Sequence, residues 1–179
     1  MCKIQVISFN YDRSLEYFLF RAIKYKFGIE DKQCVKKMNS IPIVHLYGQL
    51  DPLPWQESGG REYSSKKDYI ERLRTAPQNL KLISDERNLP ESEEFNKAYQ
   101  YIEEAERIYF LGFGFDKTNV KRLKIEQGMQ EKSVISTALG VERSLSNWII
   151  KKFKEVAKTE IRLHEKDSLS LLEDTLIIE

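Results

Sequence analysis

Apolar positions along the chain change their spacing several times, and each change marks an element. Ile4 to Phe9 is a short apolar run bounded by polar residues, the pattern of a buried strand. From Arg13 to Phe27 the apolar residues Leu15, Phe18, Leu19, Ala22, Ile23 and Phe27 follow helical spacing, with Gly28 as the stop and Asp12 placed to cap the start. A polar connection leads to Ile41–Leu46 (IPIVHL), a second strand with Pro42 tolerated near its start. Residues 51–64, DPLPWQESGGREYS, carry two prolines and two adjacent glycines and read as an ordered loop or small insertion, with Trp55 as a local packing anchor.

Farther along, Ser65 to Asp68 fits a capping box that opens a short helix with Tyr69, Ile70 and Leu73 inward, and Leu80 to Ile83 suits a short strand. Ser92 caps a helix whose core face holds Phe95, Ala98, Tyr99 and Ile102. Ile108–Leu111 is a strand that runs into GFGFD, and Thr118–Gln127 a short helix. Ser133–Leu139 is β-rich up to Gly140, and Val141, Leu145, Trp148, Ile149 and Val156 mark the next helix. Ile161–Leu163 closes the sheet, and the apolar tail Leu169–Ile178 packs back on the body. Strands alternating with helices predict an α/β fold of the Rossmann-like, doubly wound kind, with a mostly parallel sheet, in one domain over residues 1–179. In such folds ligands bind beyond the carboxyl ends of the strands. Three polar or glycine-rich joints fall there, at Asn10–Asp12, Tyr47–Leu50 and Gly112–Asp116, and Ser136–Gly140 is a fourth, less marked one. Their expected convergence on one rim is the sequence argument for a site.

Charge narrows the partners. The chain carries 29 basic and 28 acidic residues, interleaved, for a net charge of +1, which gives no electrostatic footprint for nucleic acid. No apolar run reaches the ~18 residues needed to cross a bilayer, and no signal-peptide pattern opens the chain. The two cysteines, Cys2 and Cys34, form no CxxC pair, so no zinc site of the usual spacing is expected, and reduced thiols point to the cytoplasm.

Read together, FNYD followed by a helix containing Glu16, then HLYGQL, then YFLGFGFD resemble the sirtuin-like domains of bacterial anti-phage defence proteins, in order and spacing, over roughly residues 4 to 140. Domains of that family bind NAD, and many hydrolyse it to nicotinamide and ADP-ribose. The family opens with a strand and a Gly-rich turn whose amides hold the dinucleotide phosphates. No such turn precedes Ile4, so the resemblance implies the C-terminal portion of such a domain. GFGFDK does not replace it, because Lys117 stands where a third glycine would be needed. Residues 51–64 lack the cysteines of a zinc ribbon, so the likeness is to the zinc-free NAD-hydrolase branch, with no zinc expected.

The resemblance supplies the candidate site. Asn10 matches the asparagine that orients the nicotinamide ribose and a water, and an amide does this without adding charge beside an oxocarbenium-like centre. Asp12 matches the acid two residues on, and Ser8 lies on the same segment. The family's His-Gly pair becomes Tyr47-Gly48 here; tyrosine titrates near ~10 and is a poor base at neutral pH. His45 lies two residues earlier, on the same strand face and ~6.6 Å away, within reach of the same pocket. Gly112 and Gly114 match the glycines near the ribose and adenine, and Asp116 and Asn119 are placed to bond ribose hydroxyls. Each has a structural alternative: Asn10 tolerates an unusual backbone angle, Asp12 caps a helix, His45 is buried against a carbonyl, and the glycines make a turn. Two functions follow. One is an NAD glycohydrolase with catalytic Asn10, His45 and Asp12. The other is a silent NAD or ADP-ribose sensor or scaffold, paired with a second copy or a companion defence subunit.

Overall fold

A computed structural model describes residues 4–58, 60–63, 92–124 and 128–175. The predicted helix after Ser65, the strand at Leu80–Ile83, the end of the helix drawn to Gln127, Cys2 and the last residues of the tail lie outside the described residues. The described residues form two units, one running to Glu94 and one from Phe95 onward.

In the N-terminal unit, strand β1 (Val6–Ser8) pairs in parallel with β2 (Ile43–His45), in a register that sets Ser8 beside His45. Between them run helix α1 (Ser14–Phe27) and helix α2 (Asp31–Asn39). Gly28 ends α1 in the left-handed conformation, φ 59°, and its N–H donates to the Lys24 carbonyl. The polar connection expected before β2 is in fact α2. A reciprocal box between Glu30 and Gln33 opens it, and Cys34 and Met38, one turn apart, are its buried residues. Two apolar contacts in a run of lysines are too sparse a stripe to announce a helix.

The inward face of α1 also differs from the expected stripe. Leu15 is 43% exposed, Phe18 60% and Phe27 55%, whereas Glu16 is buried. The face that packs inward runs through Glu16, Leu19, Phe20 and Ile23, the last three half-buried. Two polar anchors account for this rotation. Buried Arg13 donates from Nη1 to the carbonyls of Pro52 (3.1 Å) and Arg61 (2.9 Å), and Glu16 bonds His45. The loop before residue 59 packs accordingly: Leu53 is buried and Trp55 stacks on Phe20 with ring centroids 5.0 Å apart, the packing role expected of it. Gly60 is required there, since a Cβ would meet the Leu53 carbonyl oxygen at 2.2 Å.

The C-terminal unit holds helix α3 (Glu93–Glu104), β3 (Arg107–Phe110), α4 (Lys117–Arg122), β4 (Ser133–Thr137), α5 (Arg143–Lys152), β5 (Ile161–His164) and α6 (Ser168–Thr175). Its three strands pair in parallel in the order β3-β4-β5. After Lys152 the α5 backbone widens into a π turn, Phe153–Ala157, closed by Lys158 at φ 53°. The core joins Phe95, Ala98 and Ile102 of α3, Val134 and Ile135 of β4, Ile149, Phe153 and Ala157, and Leu171 of α6. Part of the tail thus packs back as expected: Leu171 is buried and the Thr175 carbonyl accepts from Tyr109 Oη, while Leu169 stays exposed. The described residues are therefore mixed α/β, with short parallel sheets that total five strands.

Candidate functional site

The β1-to-α1 joint is held by bonds to its backbone. Asn10 N–H donates to Ser8 Oγ at 3.1 Å, and the Asn10 carbonyl accepts from His45 Nδ1 at 2.6 Å. Asn10 itself is exposed. Asp12 Oδ1 accepts from the Ser14 N–H at 2.8 Å and from the Ser14 hydroxyl, so it supports the first turn of α1 as anticipated, although Arg13 occupies the cap position. The bonds from Ser14 hold the Asp12 carboxyl below its ordinary value, and the field of His45 adds to this.

His45 is buried, and both of its ring nitrogens are engaged. Nε2 lies 2.6 Å from Glu16 Oε1, with the two side chains 4% and 2% exposed. Gln49 Nε2 donates to the same carboxylate oxygen at 3.3 Å, while Glu16 Oε2 is buried with no hydrogen-bond partner. Burial opposes the charged imidazole, yet the bonds to Glu16 and to the Asn10 carbonyl together outweigh it, and His45 titrates above its ordinary value. The alternative in which His45 is bonded to a neighbouring carbonyl is thus the observed geometry. Tyr47 is also buried, edge-on to Phe9 (5.9 Å) and tilted against Tyr11 (6.4 Å). Gly48, φ 86°, turns the chain out of β2, and Leu50 N–H donates to the Tyr11 carbonyl at 2.9 Å. Ser8, Asn10, Asp12, His45, Tyr47 and Gly48 are therefore brought together in the N-terminal unit.

Gly112, Gly114, Asp116 and Asn119 belong to the C-terminal unit, beyond the carboxyl end of β3. Gly112 adopts φ 60°, and its N–H donates to Thr137 Oγ1 at 2.9 Å, tying the joint after β3 to the end of β4. A Cβ at Gly112 or Gly114 would meet nothing within 4 Å, so the backbone there is open to close approach. Phe115 takes φ 51°, a left-handed angle that is costly for a bulky residue. It is held by packing against Phe110 (5.3 Å), Phe113 (4.9 Å) and Phe153 (6.2 Å). Asp116 Oδ1 caps α4 through the N–H groups of Thr118 and Asn119, at 2.9 and 3.2 Å. The rim continues with Leu111, Leu139 and Gly140, all exposed.

The chain matches no family model, no curated protein and no solved structure. Among the described residues no cluster of metal-ligating side chains is present, and no helix is long and apolar enough to cross a membrane. Sequence reasoning quoted Glu16 within the resemblance but gave it no role, because hydrophobic spacing set Leu15 and Phe18 inward and nothing local marked the Glu16 side as the buried one.

Proposed function

We propose that the chain is a sirtuin-like, Rossmann-like α/β domain that binds NAD or ADP-ribose through the polar joint after β1. The observation that carries this reading is the geometry of Asn10: an exposed residue whose backbone is clamped by Ser8 and His45 at the carboxyl end of a parallel strand pair. An amide presented on a fixed backbone suits sugar hydroxyls, because one side chain both donates and accepts. Within the C-terminal unit, Gly112 and Gly114 leave open backbone beyond β3, where doubly wound folds receive ligands. The likeness to bacterial defence proteins supports NAD over other nucleotides, and NAD hydrolysis as the activity of a complete domain.

A second reading, a binder without turnover, is favoured by a specific observation. With both His45 nitrogens engaged and Tyr47 buried, neither is free to take a proton from a ribose hydroxyl in this geometry. In the hydrolytic reading Asn10 and an ordered water carry the reaction, and Asp12 steadies the joint. Calorimetry with ADP-ribose and with NAD, alongside nicotinamide release, tests both. Binding that weakens about tenfold or more in Asn10→Ala supports the site, and release of nicotinamide distinguishes enzyme from sensor. Absence of binding heat with either ligand overturns the proposal.

A further inference from the structure

Glu16 lies on a helix, away from the exposed joint, yet it is the most deeply buried carboxylate among the described residues, at 1% exposure. We infer that Glu16 is a positioning residue that fixes the Asn10 joint through His45, as a pair that shares one proton. This deepens the ligand-site reading and rests on it for its link to binding.

The argument is one of donors and acceptors. A carbonyl oxygen only accepts, so the 2.6 Å contact with the Asn10 carbonyl requires a proton on His45 Nδ1. A carboxylate oxygen also only accepts, so the 2.6 Å contact between Nε2 and Glu16 Oε1 requires a second proton between those atoms. The pair is therefore an imidazolium beside a carboxylate, one proton more than an imidazole beside a carboxylate. If that proton leaves, a nitrogen lone pair faces a carboxylate oxygen in a buried setting, and the contact must open. The ring is then no longer fixed against Asn10.

The groups around His45 agree with this. Glu16 faces it from α1 and Asp12 lends a weaker negative field from the joint. Gln49, from the loop after β2, donates to Glu16 Oε1 and so fixes the carboxylate in place. Arg13, the nearest buried cation in sequence, sends its guanidinium to the carbonyls of Pro52 and Arg61. His45 Nε2 is the donor that faces Glu16 Oε1, and Glu16 is the group that keeps His45 a donor on both sides.

The chain has two histidines, so nitrogen NMR of the imidazoles, with His164→Gln for assignment, reads the pair directly. The expected result at neutral pH is protons on both His45 nitrogens, with the Asn10 carbonyl carbon shift following the His45 titration. In Glu16→Gln the His45 titration moves down by about one pH unit or more, the Asn10 carbonyl shift changes, and ADP-ribose binding weakens about tenfold. His45 titrating unchanged in folded Glu16→Gln overturns the inference. Should that variant not fold, the wild-type spectrum decides: either His45 nitrogen without a proton at neutral pH overturns it, and both nitrogens protonated above the usual histidine range supports it. If wild type binds no ADP-ribose, the function proposed above fails, while the imidazole measurements still decide the positioning role.

Discussion

The N-terminal unit buries a carboxylate, an imidazole and the guanidinium of Arg13 beside its two parallel strands, while the C-terminal unit packs the phenyl rings of Phe110, Phe115 and Phe153 beside its three. Both units form joints just past strand ends, and each ties its joint to a neighbouring strand with one bond. In the first the Asn10 carbonyl takes a proton donor from His45; in the second the Gly112 N–H reaches Thr137. One joint thus depends on a titrating group and the other on a hydroxyl that stays neutral. The lesson is that similar parallel βα joints can be fixed either by a shared proton or by a neutral hydroxyl, and that only the first makes the joint sensitive to pH.

The widest separation between the two designs comes from truncating each core. Phe153→Ala removes a buried ring that touches Phe110 and Phe115 and is expected to cost about 3–5 kcal/mol. Glu16→Ala leaves His45 without its buried partner and is expected to cost a similar amount, about 3–5 kcal/mol. Trp55 lies in the N-terminal unit and Trp148 in the other, so Trp55→Phe and Trp148→Phe backgrounds report urea unfolding unit by unit. The comparison sharpens in a double variant. Glu16→Met with His45→Phe removes both charges and is expected to recover more than half of the loss, because the larger part of it is the cost of an unpaired buried charge. No such recovery is open to Phe153→Ala, where the loss is a cavity. If the double variant is no better than Glu16→Ala, the charged pair is not what distinguishes the N-terminal core.

A smaller effect is expected where backbone approaches backbone. Gly60→Ala sets a Cβ against the Leu53 carbonyl and Pro54 nitrogen, at 2.2 and 2.9 Å. Neither neighbour can move like the tip of a side chain, so a loss of about 1–3 kcal/mol follows, confined to the Trp55 signal. An unchanged Trp55 transition would show that the loop anchored by Arg13 contributes little to the N-terminal unit.

How much of this was legible in the sequence differs by element, for physical reasons. All five described strands coincide with apolar runs, and parallel pairing agrees with their alternation with helices. The Trp55 anchor and the Asp12 turn were legible because they depend on local chemistry: a large ring in a proline-rich loop, and an acid just before a helix. The inward face of α1 was not legible. Hydrophobic spacing places Leu15 and Phe18 inward, but buried Arg13 and Glu16 turn the helix the other way, and their partners lie on other segments: Pro52, Arg61 and His45. Helix α2 was hidden because two buried side chains, Cys34 and Met38, make no visible stripe. His45 was singled out for its strand position beside a ligand, yet its Nε2 is taken by a glutamate 29 residues away.

The pH response is expected to be smaller than either truncation, since a proton leaves while every side chain stays. His45 titrates higher in the folded chain than its unfolded value of ~6.5. Between those two values the native state binds more protons than the unfolded state, so stability falls as pH rises. The contribution is fully present below the unfolded value and is lost as pH climbs through the folded one. Urea midpoints read by Trp55 are thus expected to decline on the alkaline side of neutrality, and those read by Trp148 to stay level over the same range. Glu16→Gln is expected to flatten the Trp55 profile. A Trp55 midpoint that rises with pH across this window would contradict the protonated pair.

The finest contrast lies in two aspartates of matching design. Asp12 and Asp116 each stand just before a helix and accept from a backbone N–H two residues on, at 2.8 and 2.9 Å. Replacing either by Ala is expected to cost about 1 kcal/mol, Asp116 as a lost cap and Asp12 as a lost acceptor for the first helical N–H. The two differ in surroundings, because Asp12 also lends negative field to His45. Asp12→Asn keeps an acceptor for Ser14 and removes the charge, so it separates the two contributions. Its expected effect is a modest fall in the pH at which His45 titrates, with most of the cap preserved. Asp116→Asn is expected to leave the His45 titration where it was. Equal behaviour of the two variants would mean that the Asp12 charge does not reach the imidazole, and Glu16 alone would then account for the proton that His45 retains.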